Sequence, residues 1–476
     1  MNDDTEAAGS PRPAFRGDGY VEVTVAEDGM SARATFYPHA PGGQPVTRGY
    51  VEQMLKHAGV FHGVDWDAVD EAVNACSNEG EPRQDFVIAR GTAPKPHVPA
   101  HYTLYGTLAG KRSAIDEAGR DPAGVLRRHH ELPVVLAGHT VAELEPDRPG
   151  EFGVDVSGEY VVFGEDEPEP LSSGENTSDR GDRIVAEESG LLRIDGGKIS
   201  VEQDLALSCD IDNATGDISF PGNLSLSGTV HDGFGLWIGG DLATKEVLDA
   251  HEVFCRGQLT AVGGIIGKQH GLVRSRGKVR AKFVESCTVE SKSAVYVERS
   301  TYNADILSLD RVVTGKHGKL VGGEIRAAHG VTAEEIGNDA EIHTVIAVGT
   351  DFIIGRKLKQ VKGKIESLQL EIDRVDKRMA AHPSRELEER RLRLAEKRQE
   401  YTVILSNLVG KLDRDEHAKV VARSTVHRGS IIEICRATFV VEETRGPTTF
   451  RLDTTSGRIV VESPEEGEEG AVAELE

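Results

Sequence analysis

Five cations alternate along one short stretch of this chain: Arg274, Arg276, Lys278, Arg280 and Lys282. Successive side chains of an extended strand point to opposite faces, so this spacing puts all five on one face of a single strand. A row of guanidinium and ammonium groups binds carboxylates and other anions. The chain as a whole carries a formal charge of −24, so the row is a local exception. Two readings are open: a solvated outer wall, or a docking strip for an acidic partner. That partner could be the chain's own tail, where Glu465-Glu466 and Glu468-Glu469 cluster, or an anionic membrane surface.

Other residue types that could do chemistry are scattered. His231, His251 and His270 fall within the repeats described below. In left-handed hexapeptide acyltransferases a histidine on the coil serves as general base, and this is the enzyme alternative. Against it, the positions after the six-spaced apolar residues lack the small side chains such coils prefer. His129 and His130 are adjacent and point apart, which disfavours joint metal ligation. No Gly-x-Ser-x-Gly, GxxxxGK[ST] or HExxH motif occurs. Gly263-Gly-Ile-Ile-Gly267 opens no helix and reads as a bulge or turn rather than a phosphate cradle. Sugar lyases on right-handed coils use clustered acids, often with calcium, and neither that cluster nor a secretory leader is present. Cys76, Cys209, Cys255, Cys287 and Cys435 lie at least 32 residues apart, so no CxxC motif exists. They read as reduced, buried small hydrophobes. No catalytic residue, cofactor or metal is expected.

Composition sets the frame that must position these groups. A chain of 476 residues is too long for one core. Aromatics make up only 5% while glycines number 53, which points to many tight turns. The acidic balance argues against nucleic acid as a partner. The N-terminus has no apolar leader and no stretch could span a bilayer, so a cytoplasmic protein without a transmembrane segment is expected.

Residues 1–14 read as a disordered tail. Residues 15–163 read as an α+β domain. Val21-x-Val23-x-Val25 and Ala32-x-Ala34-x-Phe36 flank Asp28-Gly29 as a hairpin. Thr47 and Asp65 are placed to cap two helices. Residues 164–183 are rich in acids, Pro, Ser and Gly and read as a flexible linker. Residues 184–355 then carry repeats. Gly222, Gly240, Gly257, Gly277, Ser293, Asp310 and Gly330 precede short alternating strands at spacings of 18, 17, 20, 16, 17 and 20. Within them Ile218, Leu224, Val230, Leu236, Leu242, Leu248 and Phe254 are spaced by six. Three sixes make one coil, so a three-sided β-solenoid is predicted, with one inward anchor per face. Longer coils are expected near Gly263–Gly271 and Gly315–Gly323.

Residues 356–416 change period. Leu358, Val361, Ile365, Leu368, Ile372, Val375 and Met379 form a heptad seam that stops at His382-Pro383. A second, poorer seam follows through Leu387, Arg391, Leu394, Arg398, Tyr401, Leu405, Leu408 and Leu412. So short a break implies an antiparallel coiled-coil hairpin with arms of about 40 Å. Residues 417–462 return to strands and read as a cap on the solenoid, and 463–476 as an acidic tail. Exposed coil ends are expected to allow self-association by strand pairing.

Thr215-Gly-Asp-Ile-Ser-Phe-Pro-Gly222 and Leu226-Ser-Gly-Thr-Val-His-Asp-Gly-Phe234 carry a resemblance. Gly239-Gly-Asp241, Gly263–Gly267, Ala281-Lys-Phe-Val-Glu285, Gly322-Gly323 and Ile336-Gly337 extend it in order. Together with Val46-Thr-Arg-Gly-Tyr-Val-Glu52 and Ala89-Arg-Gly-Thr-Ala-Pro94, they make the chain similar to the flagellar assembly protein A (FapA) family over most of residues 15–462. After Pro94 the family carries a Gly-x-Asp segment, whereas this chain reads Lys95-Pro-His-Val-Pro99. The resemblance implies a right-handed, bactofilin-like β-helix. It also implies a non-enzymatic scaffold or regulator in flagellar assembly or cell-pole organisation. Its partners would be flagellar or cell-pole proteins, and its place the pole or the flagellar base. The mainly β fold class thus combines a three-sided β-helix, an α+β N-terminal domain and a helical hairpin inserted before the last strands.

Overall fold

Apolar side chains that recur once per face draw the middle of the chain into a stack of parallel strands. The computed structural model describes residues 17–464. About eight solenoid turns run over residues 204–348. Three inward columns define three faces. One runs Leu224, Leu242, Leu259, Val279, Val295 and Val312. The second runs Ile218, Leu236, Val253, Val273, Val289 and Ile306. The third runs Val230, Leu248, Ile265, Val284, Thr301 and Leu320. All are buried in one continuous core.

Six of the seven six-spaced apolar residues stand in these columns; Phe254 does not. Leu236 pairs with Val253, a coil of 17 residues rather than 18, so Phe254 steps to the outer face beside Trp237. The longer coil near Gly263–Gly271 is present. The register slips between Ile266 and Gly271, where Lys268 and Gln269 take left-handed backbone angles. One corner is lined by Ser275, Ser291 and Ser308. Their hydroxyls donate to the carbonyls of Gly257 (2.8 Å), Gly277 (2.9 Å) and Ser293 (2.8 Å), which satisfies polar groups the core would otherwise strand.

Both ends of the stack are covered. Helices α3 (Arg112–Ala118) and α4 (Pro122–His129) place Ala118, Val125 and Leu126 in the same core as Leu205 and Leu207 of the first coil. At the other end Ile431–Ile434 folds back on Ala437–Val440, and Thr448–Asp453 pairs antiparallel with both Lys419–Val426 and Arg458–Glu462. Phe439 and Phe450 close that end with ring centroids 5.6 Å apart. The expectation of open coil ends is therefore corrected: apolar helices and reversed strands occupy both.

The chain divides into two compact units. Among the described residues, one takes those up to Leu104, Ala142–Ser172 and Gly181–Arg183; the other takes Tyr105–Val141, Ser173–Arg180 and those from Ile184 to Pro464. In the first, strands Tyr20–Val25, Ser31–Tyr37 and Arg83–Arg90 form an antiparallel sheet. The Thr47 hydroxyl accepts from the Tyr50 amide (3.3 Å) to cap helix α1 (Arg48–His57). Asp65 accepts from the Ala68 amide (3.0 Å) to cap helix α2 (Trp66–Asn74). Val21, Phe36, Val51, Leu55, Val69 and Ile88 fill the core.

Two predicted boundaries are corrected. Residues 15–163 do not form one unit, because the apolar faces of α3 and α4 belong to the solenoid core. Residues 164–183 are not a free linker. Thr177–Asp179 pairs antiparallel with Arg183–Ala186. The Thr177 hydroxyl donates to Ile199 (2.9 Å) and the Asn176 amide donates to Val201 (2.8 Å). Hydrogen bonds, not apolar burial, hold this polar segment. The predicted tails 1–14 and 463–476 fall almost wholly outside the described residues.

The helical insertion begins slightly early, with α5 at Phe352–Ala381 and α6 at Arg385–Val409. Asp351 caps α5 by accepting from the amides of Ile353 (2.9 Å) and Ile354 (3.1 Å). Contacts pair Lys364 with Tyr401, Gln369 with Arg398 and Asp376 with Arg391, so the arms run antiparallel. Leu358, Ile372 and Val375 of the first seam are buried, while α6 has no fully buried residue among those described.

Candidate protein-binding strip

All five alternating cations face outward, but not from one strand. Strand Ile265–Ser275 ends after Arg274, the chain turns a corner through Arg276, Gly277 and Lys278, and strand Val279–Ser291 carries Arg280 and Lys282. Val273, Ser275, Val279 and Ala281 alternate inward across that corner. Period two therefore survives the bend, which is why spacing alone reads as one strand. The strip wraps an edge of the solenoid.

Its members are not equivalent. Arg274 donates to Glu290 one coil on (3.1 Å), and Arg356 of α5 donates to the same carboxylate (2.6 Å). That carboxylate is 11% exposed and ties the root of the helical hairpin to the wall. Arg274 thus belongs to a structural clamp. Arg276 lies over the Phe254 ring (5.9 Å) and Arg280 over Tyr296 (5.0 Å), so both guanidiniums rest against the wall. Lys278 and Lys282 make no ion pair among the described residues.

Sequence reasoning missed two further members. Arg256, Arg276 and Lys292 hold the same corner position on three successive coils. Their amides donate in series to Ile238 (3.0 Å), Cys255 (3.1 Å) and Ser275 (3.1 Å) of the coil before. The signal was in the repeats: each of the three directly precedes the turn residue of its coil, namely Gly257, Gly277 or Ser293. Along the corner the three are spaced by about 4.8 Å per coil. Strip and corner cross at Arg276 and form a cationic patch two residues deep.

The remaining candidates stand apart. His231, His251 and His270 are exposed on the wall. His270 contacts the Lys268 carbonyl (3.0 Å) within the bulge. Nearby, Lys268 bridges Asp249 (2.6 Å) and Asp232 (3.2 Å), and these contacts hold its ammonium above the usual lysine range. Concavities at the hairpin tip, around Met379, Pro383 and Arg385, and in the N-terminal unit, around Lys56, Phe61 and Trp66, are formed by other residues. Burial pushes the Cys255 thiol up to about 11 and Cys287 to about 12, far from nucleophilic use at neutral pH. The segment that departs from the resemblance is held by the ion pair Lys95–Glu151 (2.8 Å) and by contact between His97 Nε2 and the Asp147 carboxylate (2.8 Å). No described helix is long and apolar enough to cross a membrane.

Two family profiles match the chain in the order of its parts. The Flagellar Assembly Protein A N-terminal region matches residues 21–197. The Flagellar Assembly Protein A beta solenoid domain matches residues 203–459. No curated protein matches the chain at a significant level, and no solved structure does. The second profile spans the solenoid, the inserted helices and the closing strands, more than half of the sequence, and so the chain belongs to the flagellar assembly protein A family.

Proposed function

We propose that this flagellar assembly-related protein acts as a non-enzymatic scaffold. In this reading it presents protein-binding surfaces on a rigid solenoid at the flagellar base or cell pole. One observation carries the reading: an arm of two long helices leaves and rejoins the rod without breaking its stack. Thr350 pairs with Asp413, and the Asp351 amide donates to the Leu412 carbonyl (3.0 Å), so the insertion starts and ends at one point. Glu290 then clamps the root through Arg356. Leu370, Leu392, Val403 and Ile404 stay exposed on the arms. A fixed appendage with apolar side chains in water is suited to holding a partner. The cationic corner is a second surface, suited to an acidic protein.

Deleting the gene and scoring swimming and filament number tests this reading. Loss of motility is expected, restored by the full chain but not by a chain lacking residues 353–411. Normal swimming and normal filaments after deletion would overturn it.

A further inference from the structure

We propose that an exposed aromatic hairpin of the N-terminal unit docks an extended, arginine-bearing segment of a partner protein. The proposal rests on the scaffold reading and names the chemistry of one occupant. The hairpin pairs Gly153–Val154 antiparallel with Tyr160–Val161, Val154 opposite Tyr160. Carrying that register one residue outward sets Phe152 opposite Val162, so Phe152, Val154, Tyr160 and Val162 share one face. On it Phe152 is 57%, Tyr160 78% and Val162 73% exposed. The Phe152 ring meets Tyr160 (centroids 6.2 Å) and Phe163 (5.0 Å) edge-on. Gly153, on the other face, is buried against Thr92 and Pro94 with no room for a Cβ.

The face is braced along one side only. Thr92, Lys95 and Val98 exchange backbone hydrogen bonds of 2.7–3.0 Å with Val154, Glu151 and Arg148. The other edge, along Tyr160–Val161, has no strand beside it among the described residues. An extended segment added there would set every second side chain over the aromatic face. Those side chains repeat at about 6.8 Å, close to the spacing of the Phe152 and Tyr160 rings.

Charge selects which side chains they are. Between Asp147 and Glu169 the chain carries eight acids and one cation, Arg148. Glu159 adjoins Tyr160, and Glu165, Asp166 and Glu167 follow Phe163 closely. All four are exposed and make no ion pair among the described residues. The His97 amide donates to the Gly164 carbonyl (2.9 Å) and the Asp166 amide to the His97 carbonyl (2.8 Å), which holds this acidic run beside the brace. Open ring faces bordered by carboxylates recognise a guanidinium, which stacks on the one and pairs with the other. The same unit shows that arrangement filled once by its own cation. Arg48 lies over Trp66 (4.6 Å) while it donates to Asp70 (2.5 Å). No described cation stacks on Phe152, Tyr160 or Phe163. An anionic membrane would be repelled by the same acids.

Fluorescence anisotropy with the full chain tests the proposal, at about 100 mM salt so that only close charges count. The probe is a labelled peptide of about nine residues in which arginine alternates with threonine. It is expected to bind. F152S with Y160S should weaken binding at least tenfold, and so should E159Q, E165Q, D166N and E167Q together. Only the amide set should flatten the dependence on salt. F152L with Y160L keeps the apolar bulk without the ring faces and should bind as weakly as the serine pair; it also replaces that pair if circular dichroism shows the serines unfold the unit. A lysine-for-arginine peptide should bind several-fold more weakly. No binding of the arginine peptide would overturn the proposal. Binding indifferent to the ring variants would reduce the site to bulk charge and overturn it as well. So would capture by phosphatidylserine vesicles without peptide binding, which would assign the face to lipid. The scaffold reading is scored in swimming after gene deletion, so the two can fail separately.

Discussion

At the scale of single residues, the solenoid interior decides what its thiols can do. Cys255 and Cys287 sit in the stack with their sulfurs against the carbonyls of Gly240 (3.0 Å) and Gly271 (3.4 Å). A folded-state pKa raised by burial means the neutral thiol persists far into alkaline solution. In the native protein at pH 8, a thiol reagent should therefore modify neither within hours, whereas denaturant should expose all five cysteines at once. Raising the pH to 9 should speed the denatured reaction several-fold and leave these two native thiols untouched. Fast native labelling of Cys287 would show that the coil around it opens. The cationic row was legible in the sequence as alternation, yet its corner was not. Gly277 and Ser275 keep the inward–outward rhythm while the backbone turns, so spacing cannot tell a straight strand from a bent one. The Glu290 clamp was hidden for another reason: Arg356 lies 66 residues away, on an element whose docking no periodicity records.

Among the elements, the helical hairpin is the one whose contribution can be separated. Its root is held by the ion pair Arg414–Asp351 (3.2 Å) and by His329 against Asp415 (3.0 Å). Burial alone would raise the Asp415 carboxyl, but the His329 ring and the His417 amide outweigh it and hold the group below the usual range. Gly349, at φ +86, makes the turn into the root; a Cβ there would come within 2.7 Å of the Asp415 carbonyl and the Cys435 sulfur. Because the ends of the insertion already meet, replacing residues 352–411 with a short Gly-Ser turn should leave the solenoid folded. The expected fall in Tm is only about 2–5 °C, from the lost bonds to Glu290. A collapse of the cooperative transition would instead make the hairpin part of the solenoid's own stability. The two helices were legible because Leu358 through Met379 keep a strict three–four rhythm, and Thr47 and Asp65 cap where expected because an N-cap is a local device. The destination of α3 and α4 was not legible. Val125 and Leu126 show that a face must be buried, but nothing local names the coil that buries it.

For the whole molecule, the covers at either end close the route of strand-to-strand stacking. Leu126 is 2% exposed, in one core with Leu205 and Leu207. L126D would bury a carboxylate against that coil and lift the cover, so light scattering should show large, concentration-dependent assemblies. The milder L126A should lower stability by about 2–4 kcal/mol while the protein stays dispersed. Assemblies of equal size from both variants would place the stacking edge elsewhere. The position of the covers also matters while the chain is being made. Val331 pairs with Val420, whereas the strands below it pair across 16–20 residues. At about 5–20 residues per second, a ribosome takes about 6–23 s to go from Val348 to Glu462. For that interval the newly built coils carry a bare strand edge. Helix formation takes about a microsecond or less, so the hairpin can form and draw residue 413 back to residue 350 soon after it emerges. The inserted helices are then expected to act as a splint during synthesis, so that a chain with a Gly-Ser turn in their place should refold its last coil more slowly.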